Sequence, residues 1–180
     1  MHRYLKSFCT RLIVVAGMVL ATTLSAAAAE GQHPKNWTPP GYKIYGQTLC
    51  DEIMAQHPEL ISVTLHGIPP GQPAGTYTMF AGSFPDRIGN VDDPDDIMVS
   101  EKGITILDPR WHKMHDPIAK FVVMMPLRTA DAENIGLLVL AYHNPPNMNK
   151  SAGDFLELAT HLRDRLQFRI RSLAALFDRR

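Results

Sequence analysis

Two apolar segments near the middle of the chain constrain its fold more than any other feature. Ala119–Arg128 and Asn134–His143 both carry apolar side chains at odd and at even positions. A strand with one face in water alternates apolar and polar residues, whereas a strand covered on both faces is a continuous apolar run. The five residues between the segments suit a short turn. We therefore predict an antiparallel hairpin at the centre of a sheet, covered on both faces.

The rest of the chain predicts three more strands and three helices. Asp93 before Pro94, and Ser151 three residues before Asp154, are typical of helix N-termini. The strands are predicted over Leu60–Gly67, Thr76–Gly82 and Gly103–Asp108, and the helices over Tyr42–Gln56, Pro94–Glu101 and Ala152–Phe177. The expected fold is α+β: a five-stranded antiparallel sheet with an N-terminal helix, a short inserted helix and a long C-terminal helix.

The first predicted strand has two chemically different faces. Alternation places Ile61, Val63 and Leu65 on one face, and Ser62, Thr64 and His66 on the other.

The predicted terminal helix is unusually long. At 1.5 Å per residue it would be about 40 Å long, longer than a small domain is wide. We therefore expect part of it to overhang the sheet or to pair with a protein partner, such as a second copy of the chain.

The N-terminus has the pattern of an export signal. Basic residues precede an apolar stretch that begins at Leu12, and small residues follow at Ala26–Ala29. We predict a signal peptide over residues 1–29, a flexible proline-rich leader over 30–41 and a domain over 42–180, in a periplasmic or secreted protein with no membrane contact after signal removal. The alternative is an uncleaved membrane anchor, since the apolar run is about long enough to span a bilayer.

Charge and cysteine content restrict the function classes. Without residues 1–29 the chain has 15 basic and 18 acidic residues, a net charge of −3, which argues against a nucleic-acid partner. Cys9 would leave with the signal, so Cys50 would be alone. A lone thiol in an exported protein is either buried or used, and its place beside Ile53 on a helix predicts burial.

The order of elements, with a helical insertion between the second and third strands, resembles that of the extracytoplasmic single-Cache/PAS-like sensor domains of bacteria. The segments that carry the resemblance are Ser83–Asn90, Asp92–Asp96, Pro126–Arg128 and Asn134–Leu140, within Ile44–His143. The resemblance implies a domain that binds a small metabolite, ion or cofactor. Family members usually continue into a transmembrane helix and a signalling output. Since neither follows here, we expect a free-standing binding or accessory protein.

Candidate ligand contacts lie on the strands and beside the short helix. In a PAS-like arrangement Arg87 could hold a carboxylate by two hydrogen bonds, or it could pair with Asp86 or Asp92. Core packing is the better explanation of Met124, which falls on a predicted apolar face. The candidate ligand-binding residues are Tyr77, Arg87, Trp111, Met124, Arg128 and Tyr142.

The loop after the third strand offers an alternative function. His112, Met114 and His115 could bind a transition metal or haem, and His66 and His143 are candidates to complete the ligand set. Ordinary surface histidines explain the same residues. No cofactor can be named from the sequence.

An enzyme is the least supported class. The sequence has no Gly-x-Ser-x-Gly, Walker loop, His-Glu-x-x-His or Cys-x-x-Cys-His motif. A hydroxyl–imidazole–carboxylate assembly stays open because such assemblies form in space and not in sequence.

Overall fold

A computed structural model of the chain describes residues 34–109 and 119–180. The strands are β1 (Leu60–Gly67), β2 (Thr78–Gly82), β3 (Ile106–Leu107), β4 (Lys120–Arg128) and β5 (Asn134–His143), and the helices are α1 (Tyr45–Gln56), α2 (Pro94–Lys102) and α3 (Ala152–Gln167). Short 3₁₀ turns cover Pro85–Arg87 and Ala174–Phe177. The five strands form one antiparallel sheet in the order β2-β1-β5-β4-β3. The predicted α+β class with its five-stranded antiparallel sheet is confirmed.

The central hairpin is covered on both faces, as the apolar runs predict. β4 and β5 pair from Lys120 opposite His143 to Arg128 opposite Asn134. On one face, Val123 and Leu140 belong to the main core, which α1 and α3 complete. On the other face, Val122 joins a smaller core with Val99 of α2. We call these the α1/α3 face and the α2 face.

β1 differs from the predicted alternation at one residue. Its pairing with β5 shifts register between Leu60 and Ser62, which places an extra residue, Ile61, in a β-bulge. Ile61 therefore packs with the smaller core on the α2 face, and not with Val63 and Leu65 in the main core.

The C-terminal helix is shorter than predicted. α3 ends at Gln167, so its length is about 24 Å at 1.5 Å per residue. The apolar pattern continues beyond it because Ile170 and Leu176 are still buried, although in turns. Backbone contacts hold these turns: Ala130 N–H donates to Ile170 O at 2.7 Å, and Tyr45 N–H donates to Asp178 O at 2.8 Å. The predicted overhang is therefore wrong, and it gives no reason to expect a protein partner on this helix.

The described part of the expected leader packs on the domain. Lys35 forms a β-bridge with Asn90, and Val91 N–H donates to Pro34 O at 2.9 Å. The Trp37 ring meets Phe177 edge to face at 5.7 Å between centroids. From Pro34 onward one aromatic contact and backbone pairing therefore hold the proline-rich segment against the domain. Among the residues described, no helix has the length and apolar character to cross a membrane.

Candidate functional site

The candidate site begins with two polar residues on the α2 face of β1. Thr64 and His66 are two residues apart on the strand, so their side chains project from the same face. Both are buried. The Thr64 hydroxyl oxygen lies 2.7 Å from His66 Nε2. When Nε2 carries a hydrogen, it donates to this hydroxyl. Nδ1 then faces a second hydrogen-bond partner.

That partner is Asp92, which an extended segment beside β2 delivers. Gly89 N–H donates to Met79 O at 2.8 Å, Met79 N–H donates to Asn90 O at 3.2 Å, and Asp92 N–H donates to Tyr77 O at 3.2 Å. These bonds pin the segment along the free edge of β2, next to β1 in the sheet. As a result Asp92 Oδ1 lies 2.7 Å from His66 Nδ1.

The first turn of α2 contributes a second carboxylate. Asp96 accepts a hydrogen bond from the backbone N–H of Asp93 at 3.1 Å, the return bond of a capping box. One ligand-type atom each from His66, Asp92 and Asp96 lies within 4.8 Å of the others, and all three residues are buried. We call these three residues the His66 cluster.

Electrostatics in the His66 cluster favour bound protons. Burial by itself lowers the pKa of His66, but the charge of Asp92 and its hydrogen bond outweigh burial, so the pKa is raised from its ordinary value. Burial also raises the pKa of Asp96 to about 6, against the opposing attraction of His66. Two carboxylates therefore share one buried imidazole.

One atom of the cluster is unsatisfied. Asp92 Oδ2 is buried without a hydrogen-bond partner among the described residues, and only 1% of the Asp92 side chain is exposed. A buried polar atom left unpaired costs about 1–3 kcal/mol, and more for a charged group. Such an atom marks a place where a cation or a donor group from outside the chain would be stabilised.

A glycine of β5 sets the backbone position of His66. A Cβ atom at Gly136 would lie 2.1 Å from the carbonyl oxygen of His66. Only glycine therefore allows β5 to approach β1 this closely at the site.

Thr64, His66 and Asp92 also have the order of a hydroxyl–imidazole–carboxylate relay. However, Thr64 is buried, and two cavities in the described part of the chain, of about 440 and 180 Å³, have other linings. The larger is lined by residues 35–38 and Gln72. Thr64 lines neither cavity, and the order of the three groups does not by itself indicate hydrolysis. Burial likewise raises the pKa of the Cys50 thiol, which keeps it from acting as a thiolate.

The predicted ligand contacts do not converge on one place. Met124 belongs to the core on the α2 face, whereas Tyr142 belongs to the main core. The two cannot line one pocket, because they project from opposite faces of the sheet. Tyr142 lies 5.5 Å from the Phe155 ring and is packed there.

The other candidates that the structure describes lie at the margins. Arg87 is exposed, with its guanidinium 4.7 Å from the Phe84 ring centroid. Arg128 ends β4 and is half-buried. The hydroxyl of Tyr77 donates to Glu101 Oε1 at 3.3 Å, and the carbonyl of Tyr77 accepts from Asp92 N–H. Tyr77 is therefore the predicted contact that directly adjoins the His66 cluster.

The predicted metal-binding residues His112, Met114 and His115 lie outside the described residues, and so does the predicted ligand contact Trp111. His66 and His143 cannot complete one ligand set. His66 pairs with Leu137 of β5, and His143 is six residues further along that strand, about 20 Å away at 3.3 Å per residue.

Sequence reasoning missed the partnership of Asp92 and Asp96 with His66. The acidic run around Pro94 favours a helix N-terminus, and that interpretation does not involve His66. The available signal was its excess: four aspartates in five residues are more than one helix start needs.

Comparison with known proteins gives only distant structural likenesses. No protein-family model matches the chain, and no curated protein matches its sequence. One similar structure is the GAF domain of a two-component sensor histidine kinase from Bacillus halodurans, at 12% identity and a TM-score of 0.45, covering 67% of this chain and 89% of that one. Another is the inducer-binding domain of the PobR transcription factor from Acinetobacter, in complex with 3-hydroxybenzoic acid, at 12% identity and 0.42, covering 69% and 97%.

A third is a type II free methionine-R-sulfoxide reductase from Thermoplasma acidophilum, at 15% identity and a TM-score of 0.43, covering 72% of this chain and 85% of that one. These likenesses join sensor domains and an enzyme at similar distances. They therefore carry no argument about activity, and the fold assignment rests on the sheet and helices described above.

Proposed function

We propose that this chain is a non-enzymatic, sensor-type or accessory domain that binds a small ligand through a positively charged group at the His66 cluster. The observation that carries the proposal is the buried Asp92 carboxylate. One of its oxygens pairs with His66, the other has no partner in the described part of the chain, and a second carboxylate stands beside it. Buried charge without compensation is costly, so a cationic ligand would be stabilised there.

The site's position supports binding in preference to a merely structural pair. The cluster joins three separately held pieces: β1, the segment along β2 and the first turn of α2. A ligand that contacts all three would couple α2 to the sheet. Coupling of this kind suits a domain that reports ligand binding through a change of shape or stability.

Export is part of the proposal. The basic residues, apolar stretch and alanines of residues 1–29 support a signal peptide and a periplasmic or secreted location, as does the resemblance to extracytoplasmic Cache/PAS-like domains. If the chain is expressed with residues 1–29 present, the mass of the exported protein should be that of a chain that starts at Glu30 or Gly31. A mass that retains residues 1–29 would instead support a membrane anchor.

A thermal-shift screen tests ligand binding. The panel contains amines, basic amino acids and neutral amino acids, with organic acids as the oppositely charged set. Cationic compounds are expected to raise the melting temperature, since a ligand at a hundredfold excess over its dissociation constant adds about 2.7 kcal/mol to stability. Stabilisation by organic acids alone would contradict the proposed charge preference.

A matched pair of variants locates the effect. Asp92→Asn removes the carboxylate beside His66, whereas Glu59→Gln removes the carboxylate that lies 2.8 Å from His57 in a more exposed pair. Stabilisation by the ligand should disappear in Asp92→Asn and persist in Glu59→Gln. Equal loss in both variants would place binding elsewhere.

The metal- or haem-binding alternative through His112, Met114 and His115 stays a prediction. An absorbance titration with copper, zinc and haem, repeated on His112→Ala/His115→Ala, tests it directly.

A further inference from the structure

We infer that His66, Asp92 and Asp96 form a binding site for a divalent transition-metal ion, an inference that rests on the binding site proposed above and names its ligand. The ion would take one imidazole nitrogen and one oxygen from each carboxylate. These atoms already lie within 4.8 Å of one another. Three protein ligands leave further coordination positions for water or for a small bound molecule.

The donor set selects the class of ion. Calcium and magnesium prefer oxygen ligands alone, whereas an imidazole together with carboxylates suits zinc, manganese, cobalt and ferrous iron. Charge agrees with this choice, because two carboxylates and a neutral imidazole compensate a divalent ion fully. Among the residues that the structure describes, the deeply buried Asp92 Oδ2 has no hydrogen-bond partner, which is the independent sign that the cluster lacks one.

Thr64 supplies the support that a histidine ligand requires. A metal-bound imidazole usually donates its other N–H to a fixed acceptor, which sets the ring's orientation and tautomer. Here the Thr64 hydroxyl lies 2.7 Å from Nε2, so Nδ1 is the nitrogen left to bind the ion. The ion would displace the proton between Nδ1 and Asp92 Oδ1, and that proton would pass to solvent.

The cluster is buried but not sealed from solvent. His66 retains 10% side-chain exposure, and Asp96 stands in the first turn of α2.

The experiment is titration of the full chain, first treated with a chelator, with zinc, manganese and cobalt chlorides by calorimetry. Cobalt adds a second readout, since its visible absorption reports an ordered nitrogen and oxygen ligand set. Saturable binding of one ion in the micromolar range or tighter is expected. Absence of saturable binding by all three ions at 100 μM, a concentration about tenfold above that range, would overturn the inference.

Variants assign the ion to the cluster. His66→Gln and Asp96→Asn should each weaken binding at least a hundredfold, and Thr64→Val should weaken it about tenfold to a hundredfold because it removes only the orienting hydroxyl. His57→Gln is the matched control, since His57 also pairs with a carboxylate, and should bind as the unmodified chain does. Asn at position 96 can still accept from Asp93 N–H, so Asp96→Asn preserves the helix start and covers the case in which His66→Gln fails to fold.

The outcomes separate this inference from the broader proposal. Amine binding that Asp92→Asn abolishes, with no metal binding, would leave the proposed function standing and overturn the metal site. Failure of both metals and amines would overturn both. Loss of metal binding in His112→Ala/His115→Ala, with full binding in His66→Gln, would move the metal to the predicted loop.

Discussion

At the scale of single residues, His66 shows how burial and charge compete. Burial disfavours its protonated form, but Asp92 at 2.7 Å, together with the charges of Asp96 and Asp93, reverses the effect. The pKa of Asp96 is also raised, because burial disfavours its charged carboxylate form. Both groups therefore bind protons more strongly when the chain is folded.

This linkage predicts a pH dependence. A group whose pKa is raised on folding stabilises the fold fully below its unfolded pKa, and that contribution is lost as pH rises through the folded pKa. For Asp96 the loss falls between about pH 4 and the folded value of about 6. For His66 it begins near the ordinary histidine value and continues above it.

The prediction is checked by urea unfolding between pH 4 and 8.5 in the presence of a chelator. The unmodified chain should lose more stability between pH 4 and 6 than Asp96→Asn, which retains the acceptor for Asp93 N–H but no longer titrates. Parallel pH profiles for the two proteins would show that Asp96 titrates as an exposed carboxyl group does.

At the scale of elements, α3 illustrates why a helical pattern can outlast its helix. Ser151 and Asp154 start α3 with reciprocal bonds of 3.2 and 2.6 Å, as the capping pattern predicts. Its buried residues continue in register up to Leu166. Beyond Gln167 the chain turns, and Ile170 and Leu176 reach the core from irregular backbone. Apolar spacing reports burial, and burial does not require one continuous helix.

Two phenylalanines on or next to α3 provide a matched test. Phe155 is 1% exposed and stacks on Phe121 with ring centroids 4.5 Å apart, whereas Phe168, just after the helix, is 75% exposed. Phe155→Ala should lower the free energy of unfolding by about 3–5 kcal/mol. Phe168→Ala should change it by no more than about 0.5 kcal/mol.

Chemical denaturation of both variants checks this prediction. A large loss in Phe168→Ala, especially one that varies with protein concentration, would reveal an interface at the end of α3.

At the scale of the whole molecule, the sheet is a layer buried between two unequal covers. α1 and α3 form the larger cover and build the main core. α2 forms the smaller one, and the buried polar cluster lies on its side of the sheet, where β1 is polar. The α1/α3 face therefore holds the larger apolar core, and the α2 face combines a smaller apolar core with the candidate site.

Neighbouring residues of β4 test this two-sided burial. Val122 lies in the core on the α2 face and Val123 in the main core, at 2% and 0% exposure. Val122→Ala and Val123→Ala should each reduce stability by about 1–3 kcal/mol. If only Val123→Ala destabilises, the α2 face is not closed in solution. Thermal and urea unfolding give the comparison.

The sequence by itself determined the elements whose signals are local. The bounds of β1 and β5, the capped starts of α2 and α3, and the two-sided burial of the hairpin follow from side-chain alternation, helix-capping residues and apolar runs. Gly103, in the left-handed conformation at φ 66°, ends α2 at Lys102, one residue beyond the predicted end at Glu101. These features depend on residues a few positions apart, so they can be recognised without the fold.

Only the tertiary structure decided the features that depend on distant contacts. His66 and Asp92 are 26 residues apart in the chain, and they meet because β2 carries the Asp92 segment along its free edge. The packing of Trp37 on Phe177 also depends on a contact between distant segments. So does the burial of Ile170 in the core just after α3 ends. Close approach between distant segments is set by strand order and packing, and neither is present in the local pattern of a sequence.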